Sequence, residues 1–275
     1  MPLRDGRIVS CDGLHGRLAV TNGEVVSEYA SVGGVPNGAA LGRGGAIYCT
    51  QVGGLTMHDS ASVSAGIQRV LPDRSLKHVL SRVDGIPLVA PNDLAFGPDG
   101  RLYFTDPGGP YDTGKNKSPS RIFGVSSDQG ELIIELENVY CNGIAFDSSS
   151  RLVWTESFTR RICRLEPSGP EVLCELPEGC VPDGLAIAAD GRLFVATLTS
   201  GGVSVVGSDG VVLDHVENSG LQTVRSKAAH FSSQRSIRPA ASTTRPNGKD
   251  RSGQLKLMPS HSRCFAAFCN RCRSL

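Results

Sequence analysis

The sequence predicts an all-β fold, a six-bladed β-propeller type of which about five blades are recognisable. Three observations carry this reading. Thirty-three Gly and sixteen Pro in 275 residues imply many turns and therefore many short elements. Four segments repeat in register, at spacings of 55, 50 and 41 residues. The stretches between them read as hairpins rather than amphipathic helices, and a repeat of this size built from hairpins is the signature of propeller blades. The competing reading is a β-sandwich with similar hairpins; four in-register matches favour the propeller.

In chain order, the first half-repeat is DGRIVSCD from Asp5. Full repeats follow as PNGAALGRGGAIYCT from Pro36, PNDLAFGPDGRLYFTD from Pro91, CNGIAFDSSSRLVWTE from Cys141 and PDGLAIAADGRLFVAT from Pro182. Each reads as a polar residue, then Gly or Asp, a short apolar run, a four-residue turn and a β-rich run. The intervening RIFGVSSDQGELIIELE, from Arg121, and RICRLEPSGPEVLCELP, from Arg161, supply outer strands paired around polar, Gly-containing turns.

The repeated polar residues are Asn37, Asn92, Asn142 and Asp183. In a propeller the innermost strands surround a central channel, so side chains at the mouths of these strands converge on one of its ends. A ring of amide and carboxylate oxygens suits a hard cation such as Ca²⁺ or Mg²⁺. A lone Asn or Asp before a strand is an ordinary turn former; the fourfold recurrence raises the cation reading above that.

Other chemistries lack support. There is no Walker A or dinucleotide fingerprint, and no Gly-x-Ser-x-Gly in a strand–turn–helix setting. No apolar run of about 18 residues predicts a membrane span, and the first residues show no signal-peptide core, so a cytoplasmic protein is expected. The nine Cys are scattered and are read as reduced thiols.

Charge divides the chain. From Asn218 onward there are eleven Lys and Arg against one acidic residue, Asp250, which leaves 17 basic and 26 acidic residues in 1–217. Residues 1–217 are therefore assigned to the propeller. Residues 218–275 are a basic, Ser/Arg-rich tail, expected to be disordered or to reflect a reading-frame shift. The tail has neither a basic helix pattern nor interleaved aromatics, so no nucleic-acid partner is expected. Its Cys264, Cys269 and Cys272, with His261 nearby, are read as a chance grouping rather than a cluster site.

The motifs PNDLAFGPDGRLYFTDP, CNGIAF and PDGLAIAADGRLFVA resemble the SMP-30/gluconolactonase/LRE-like family, over about residues 5–217. The resemblance implies a six-bladed propeller that binds one divalent metal in its channel and hydrolyses lactones or other esters. It implies Asn142 and Asp183 as metal ligands, Asn92 as a residue contacting metal or substrate, and Asp183 as the acid/base. The metal would be Ca²⁺ first, with Zn²⁺, Mg²⁺ or Mn²⁺ as alternatives. The partner would be a small lactone, with no nucleic acid or membrane involved.

The family's remaining ligand is a Glu in the first repeat. Alignment of Asp5-Gly6-Arg7 on Asp99-Gly100-Arg101 places that position at about −2, just upstream of Met1, so the chain is expected to begin just after it. Tyr111 and Glu156 fall near the site and are read as a loop residue and a strand-end residue. The loop GGPYDTGKNKSPSR, at 108–121, is a candidate for substrate choice. Metal-dependent lactone hydrolysis is the leading function. The alternatives are a truncated, non-catalytic propeller serving as a scaffold, or a propeller enzyme of the strictosidine-synthase type.

Overall fold

A computed structural model describes residues 1–53, 62–126 and 129–217. The basic tail, with Cys264, Cys269, Cys272 and His261, lies outside the described residues. The chain forms five successive antiparallel sheets arranged as propeller blades. Among the described residues there is no α-helix, only a 3₁₀ turn at Arg43–Gly45.

The first sheet has three strands, β1 (Ile8–Asp12), β2 (Arg17–Thr21) and β3 (Val26–Ser31). The second comprises β4 (Pro36–Leu41), β5 (Ile47–Gln51), β6 (Gly66–Val70) and β7 (Leu76–Leu80). A short hairpin, β8 (Arg82–Val83) and β9 (Ile86–Pro87), leads to the third sheet. That sheet is β10 (Leu94–Phe96), β11 (Leu102–Asp106), β12 (Ser120–Val125) and β13 (Gly130–Leu136). The fourth is β14 (Cys141–Phe146), β15 (Leu152–Glu156), β16 (Arg161–Glu166) and β17 (Gly169–Glu175). The fifth is β18 (Pro182–Ile187), β19 (Leu193–Thr197), β20 (Gly202–Val206) and β21 (Val212–Glu217).

Register identifies the strands of the first sheet. Pro2 bridges to Ile8 just as Phe96 pairs with Leu102 in the third sheet. The turn bond from Gly6 N–H to Leu3 C=O matches the bond from Gly100 to Gly97. β1, β2 and β3 therefore occupy the places of the second, third and outermost strands of the other blades. The alignment of Asp5-Gly6-Arg7 on Asp99-Gly100-Arg101 holds in three dimensions.

The core lies between blades. Ile67, Leu94, Leu102, Phe104 and Phe123 fill one such layer. Ile122, Ile144 and Trp154 belong to the next, and Val153, Ile162, Leu185 and Val195 to the one after. The outermost strands β7, β17 and β21 are largely exposed, as blade edges are. This gradient follows from residue type: Val, Ile, Leu and aromatics concentrate in middle strands, which face a neighbouring sheet on both sides.

Two local features set up the channel. In β4, β14 and β18 the ladder slips after the first residue. Asn37-Gly38, Asn142-Gly143 and Asp183-Gly184 thus become two-residue bulges, each facing a single residue on the next strand. A bulge re-aims the side chain it carries. The glycine is needed because neighbouring inner strands approach closely. A Cβ on Gly143 would lie 2.6 Å from Leu185 N and 2.7 Å from Asp183 O, and one on Gly38 would lie 2.6 Å from Asp93 Oδ1.

The residue opposite the bulge is the second feature. Thr50, Thr105 and Thr155 are fully buried. Each hydroxyl accepts a bond from an inner-strand amide of its own blade: Gly38 N–H at 2.8 Å, Asp93 N–H at 3.1 Å and Gly143 N–H at 2.8 Å. Each donates to the next blade: to Asn92 C=O at 2.6 Å, Asn142 C=O at 2.7 Å and Asp183 C=O at 2.6 Å. These threonines latch blade to blade, and the carbonyl each grips belongs to a channel residue. In the fifth sheet the equivalent residue is Ala196, buried without a hydroxyl.

Removing one latch leaves a buried donor and a buried acceptor without partners. Thr155→Val should lower unfolding stability in urea by about 1–3 kcal/mol, whereas Thr155→Ser, which keeps the hydroxyl, should cost clearly less. An unchanged stability for Thr155→Val, which keeps the methyl group and lacks only the hydroxyl, would contradict the latch.

Candidate functional site

The channel mouth holds a small cavity, with about 10 Å³ of free room, lined by Asn37, Gly38, Asn92, Asp93, Asn142 and Gly184. Residues from four blades thus meet at one end of the axis. Asn37 is exposed, while Asn92, Asp93 and Asn142 are buried. Asp183 is half-buried beside them and accepts a hydrogen bond from Asn142.

Asn142 is oriented by a relay. Ser157 Oγ donates to Pro182 C=O at 2.7 Å, so its lone pairs accept from Asn142 Nδ2 at 3.2 Å. That fixes which end of the amide is nitrogen and leaves Oδ1 for the channel. Asn92 is held through its backbone by Thr50 and by an N–H bond to Thr105 C=O at 2.8 Å. Its side chain is hydrogen-bonded to the Tyr140 hydroxyl.

Asp93 takes the place that Gly38, Gly143 and Gly184 occupy in the other repeats. Its carboxylate accepts from Leu94 N–H at 2.9 Å and from Ile144 N–H at 3.2 Å, the latter in the next blade. It is a second staple across the interface between the third and fourth sheets. Its charge also reaches Asp183. Burial pushes the Asp183 carboxyl up to about 7, the Asn142 bond opposes the rise, and the negative Asp93 adds to it.

The site residues read from sequence, Asn92, Asn142 and Asp183, come together here. Three contributors were not singled out by that reading: Asp93, Ser157 and Tyr140. The one sequence signal for Asp93 was the departure from Asn-Gly to Asn-Asp in its repeat. Tyr140 sits in the left-handed region at φ 55° immediately before Cys141, and nothing in the repeat marks it. Glu156 is a strand-end residue: it accepts from Trp154 Nε1 at 3.2 Å and from Thr159 Oγ1 at 2.7 Å. Tyr111 packs its ring edge-on against Tyr140, with centroids 5.1 Å apart.

The donors fit a hard divalent cation. They are amide oxygens and a carboxylate that lacks a cationic partner, and no group of three or more His, Cys, Asp or Glu converges among the described residues. Such a set suits Ca²⁺ or Mg²⁺ better than zinc, which favours His and Cys ligands.

A β-propeller with an oxygen-lined channel site defines a class of proteins, and the comparisons narrow it. The chain belongs to the SMP-30/gluconolactonase/LRE-like family, whose model matches residues 36–224. No curated protein sequence matches the chain. Solved structures share the fold. A putative gluconolactonase is 22% identical with a TM-score of 0.61, the match covering 77% of this chain and 74% of that one. The gluconolactonase XC5397 of Xanthomonas campestris is 21% identical with a TM-score of 0.63, over 77% and 72%. A calcium-binding regucalcin of Agrobacterium tumefaciens is 14% identical with a TM-score of 0.61, over 78% and 72%. Among the described residues no helix is long and apolar enough to cross a membrane.

A carboxyl that titrates at about 7 when folded, against 3.8 ordinarily, binds its proton more tightly in the native state. Between those values the native protein holds more protons than the unfolded chain, so stability falls as pH rises. In chelator-containing buffer, thermal unfolding should show this decline between about pH 4 and 7, and Asp183→Asn should flatten it. A variant with the same slope as the parent would place the shifted group elsewhere.

Proposed function

We propose that this protein hydrolyses lactones with the help of one divalent metal, Ca²⁺ first, held by Asn142, Asp183 and Asn92. The observation that supports this most is Asp183 itself. It is a carboxylate held beside Asn142 at an oxygen-lined site, a group that can take a proton from water and return it; its value of about 7 is that of the metal-free site, and a bound cation would lower it. The family and the gluconolactonase neighbours point the same way, and the regucalcin neighbour is a calcium-binding protein.

When bound, the metal supplies Lewis-acid polarisation of the lactone carbonyl. The chain's own residues do the rest. Asn142, locked by Ser157, and Asn92, locked by Tyr140, present fixed dipoles and need no reorganisation as charge develops. Asp183 removes a proton from water as its oxygen bonds to the carbonyl carbon. It then gives that proton to the ring oxygen as the acyl C–O bond breaks, yielding a hydroxy acid. No covalent nucleophile is required.

Asp183→Asn should lower lactone hydrolysis by about a hundredfold or more, since it removes the proton acceptor and the carboxylate ligand together. EDTA should abolish turnover and Ca²⁺ should restore it. Hydrolysis indifferent to both the substitution and chelation would move the assignment to a non-catalytic propeller.

A further inference from the structure

The channel cavity has about 10 Å³ of free room, about enough for one water molecule or ion. A substrate therefore lies over it rather than inside it. The chemistry of the mouth then decides which substrates are favoured.

One side of the mouth is aromatic. Tyr111, Tyr140 and Phe158 form a closed triad. Ring centroids are 5.1 Å apart for Tyr111–Tyr140, 5.5 Å for Tyr111–Phe158 and 5.0 Å for Tyr140–Phe158. Tyr140 is buried and Phe158 half-buried, while Tyr111 leaves 47% of its surface exposed. The triad adjoins the reacting centre: the Tyr140 hydroxyl is bonded to Asn92, and Tyr140 lies two residues before Asn142, whose Nδ2 donates to Ser157 Oγ at 3.2 Å.

Several polar groups of the loop that carries Tyr111 are used internally. Asp112 accepts from the N–H groups of Gly114 and Lys115 and pairs with the Lys115 ammonium. Asn116 donates to Pro107 C=O and accepts from Ser118 N–H, and Lys117 donates to Thr113 C=O. The exposed Tyr111 ring then gives an apolar substituent a surface to lie on. Tyr140 holds its place through the backbone as well: its carbonyl accepts from Ser157 N–H at 3.0 Å, which ties the triad to the residue that orients Asn142.

We infer that the Tyr111–Tyr140–Phe158 face receives the apolar part of the substrate, so that the preferred lactones carry an alkyl or aryl substituent rather than a ring of hydroxyls. This rests on the lactonase reading, with Tyr111 as its specificity-determining residue.

Binding of inert lactams separates the two claims. Calorimetry with the intact chain would compare a phenyl-substituted δ-lactam with gluconolactam, with Ca²⁺ present. The phenyl lactam should bind at least about tenfold more tightly, Tyr111→Ala should erase the preference, and Tyr111→Phe should keep it, as burial of one ring face implies. Tyr111 is exposed on a loop, so its removal leaves the core intact; a melting temperature within about 2 °C of the parent's checks this. Equal affinities, tighter binding of gluconolactam, binding of neither, or a preference that survives Tyr111→Ala would each overturn the inference. Selective binding without hydrolysis of the matching lactone would instead retain the apolar face and remove the lactonase reading.

Discussion

The structure depends on a hydroxyl between blades. A threonine Oγ can accept one hydrogen bond and donate another, and at Thr50, Thr105 and Thr155 both capacities are used across an interface from which water is excluded. In a medium of low dielectric such bonds are strong and their loss is expensive. The accepting carbonyls are those of Asn92, Asn142 and Asp183, so the contact that joins the blades also fixes the backbone from which each channel side chain projects. Packing and the proposed site are therefore built on the same atoms. At Ala196 the series ends. The fifth sheet presents a methyl group where its predecessors present a hydroxyl, and Ala196 packs instead with Val203 and Phe194.

Within that frame, the channel combines close approach with uncompensated charge. Gly38 and Gly143 let inner strands come within a distance that no Cβ tolerates. Asp93 solves the same problem differently, by extending a carboxylate to Ile144 N–H. The negative charge this introduces falls beside Asp183, and together with burial it raises the carboxyl into the neutral range. A group that strengthens the fold thereby tunes the group proposed to carry the chemistry. The aromatic triad is tied in through Tyr140, which touches Asn92 on one side and Tyr111 on the other.

Much of this was legible in the sequence because a propeller repeats its solutions. Asn37, Asn92, Asn142 and Asp183 announced the strand mouths, and Asp5-Gly6-Arg7 announced the turn of the first sheet, which the Pro2–Ile8 bridge reproduces in register. The latch was also present, as IYCT, LYFT and LVWT followed by LFVA, but a threonine in a β-rich run reads first as strand propensity. Its bridging role depends on a bulge in the neighbouring strand, which residue types alone do not specify. Asp93 was visible as an exception to the glycine pattern, without the partner that explains it. Tyr140 and Ser157 were not legible: the one reaches the site through a left-handed backbone, the other through a contact with the following blade. Tyr111 could be placed on a loop, but its ring partners lie about 30 and 50 residues further along the chain, a separation that local pattern cannot bridge.

The central claim is that the latches position the channel residues and do not merely stabilise the sheets. The most direct measurement is the NMR signature of the Asn142 side-chain amide and the Asp183 carboxyl in Thr105→Val and Thr105→Ser, under conditions where both remain folded. Thr105 grips Asn142 C=O without lining the channel cavity. The account predicts that the valine variant displaces both resonances and moves the Asp183 titration, while the serine variant leaves them near the parent's values. A valine variant that unfolds more readily, yet keeps the parent's resonances and titration, would contradict it.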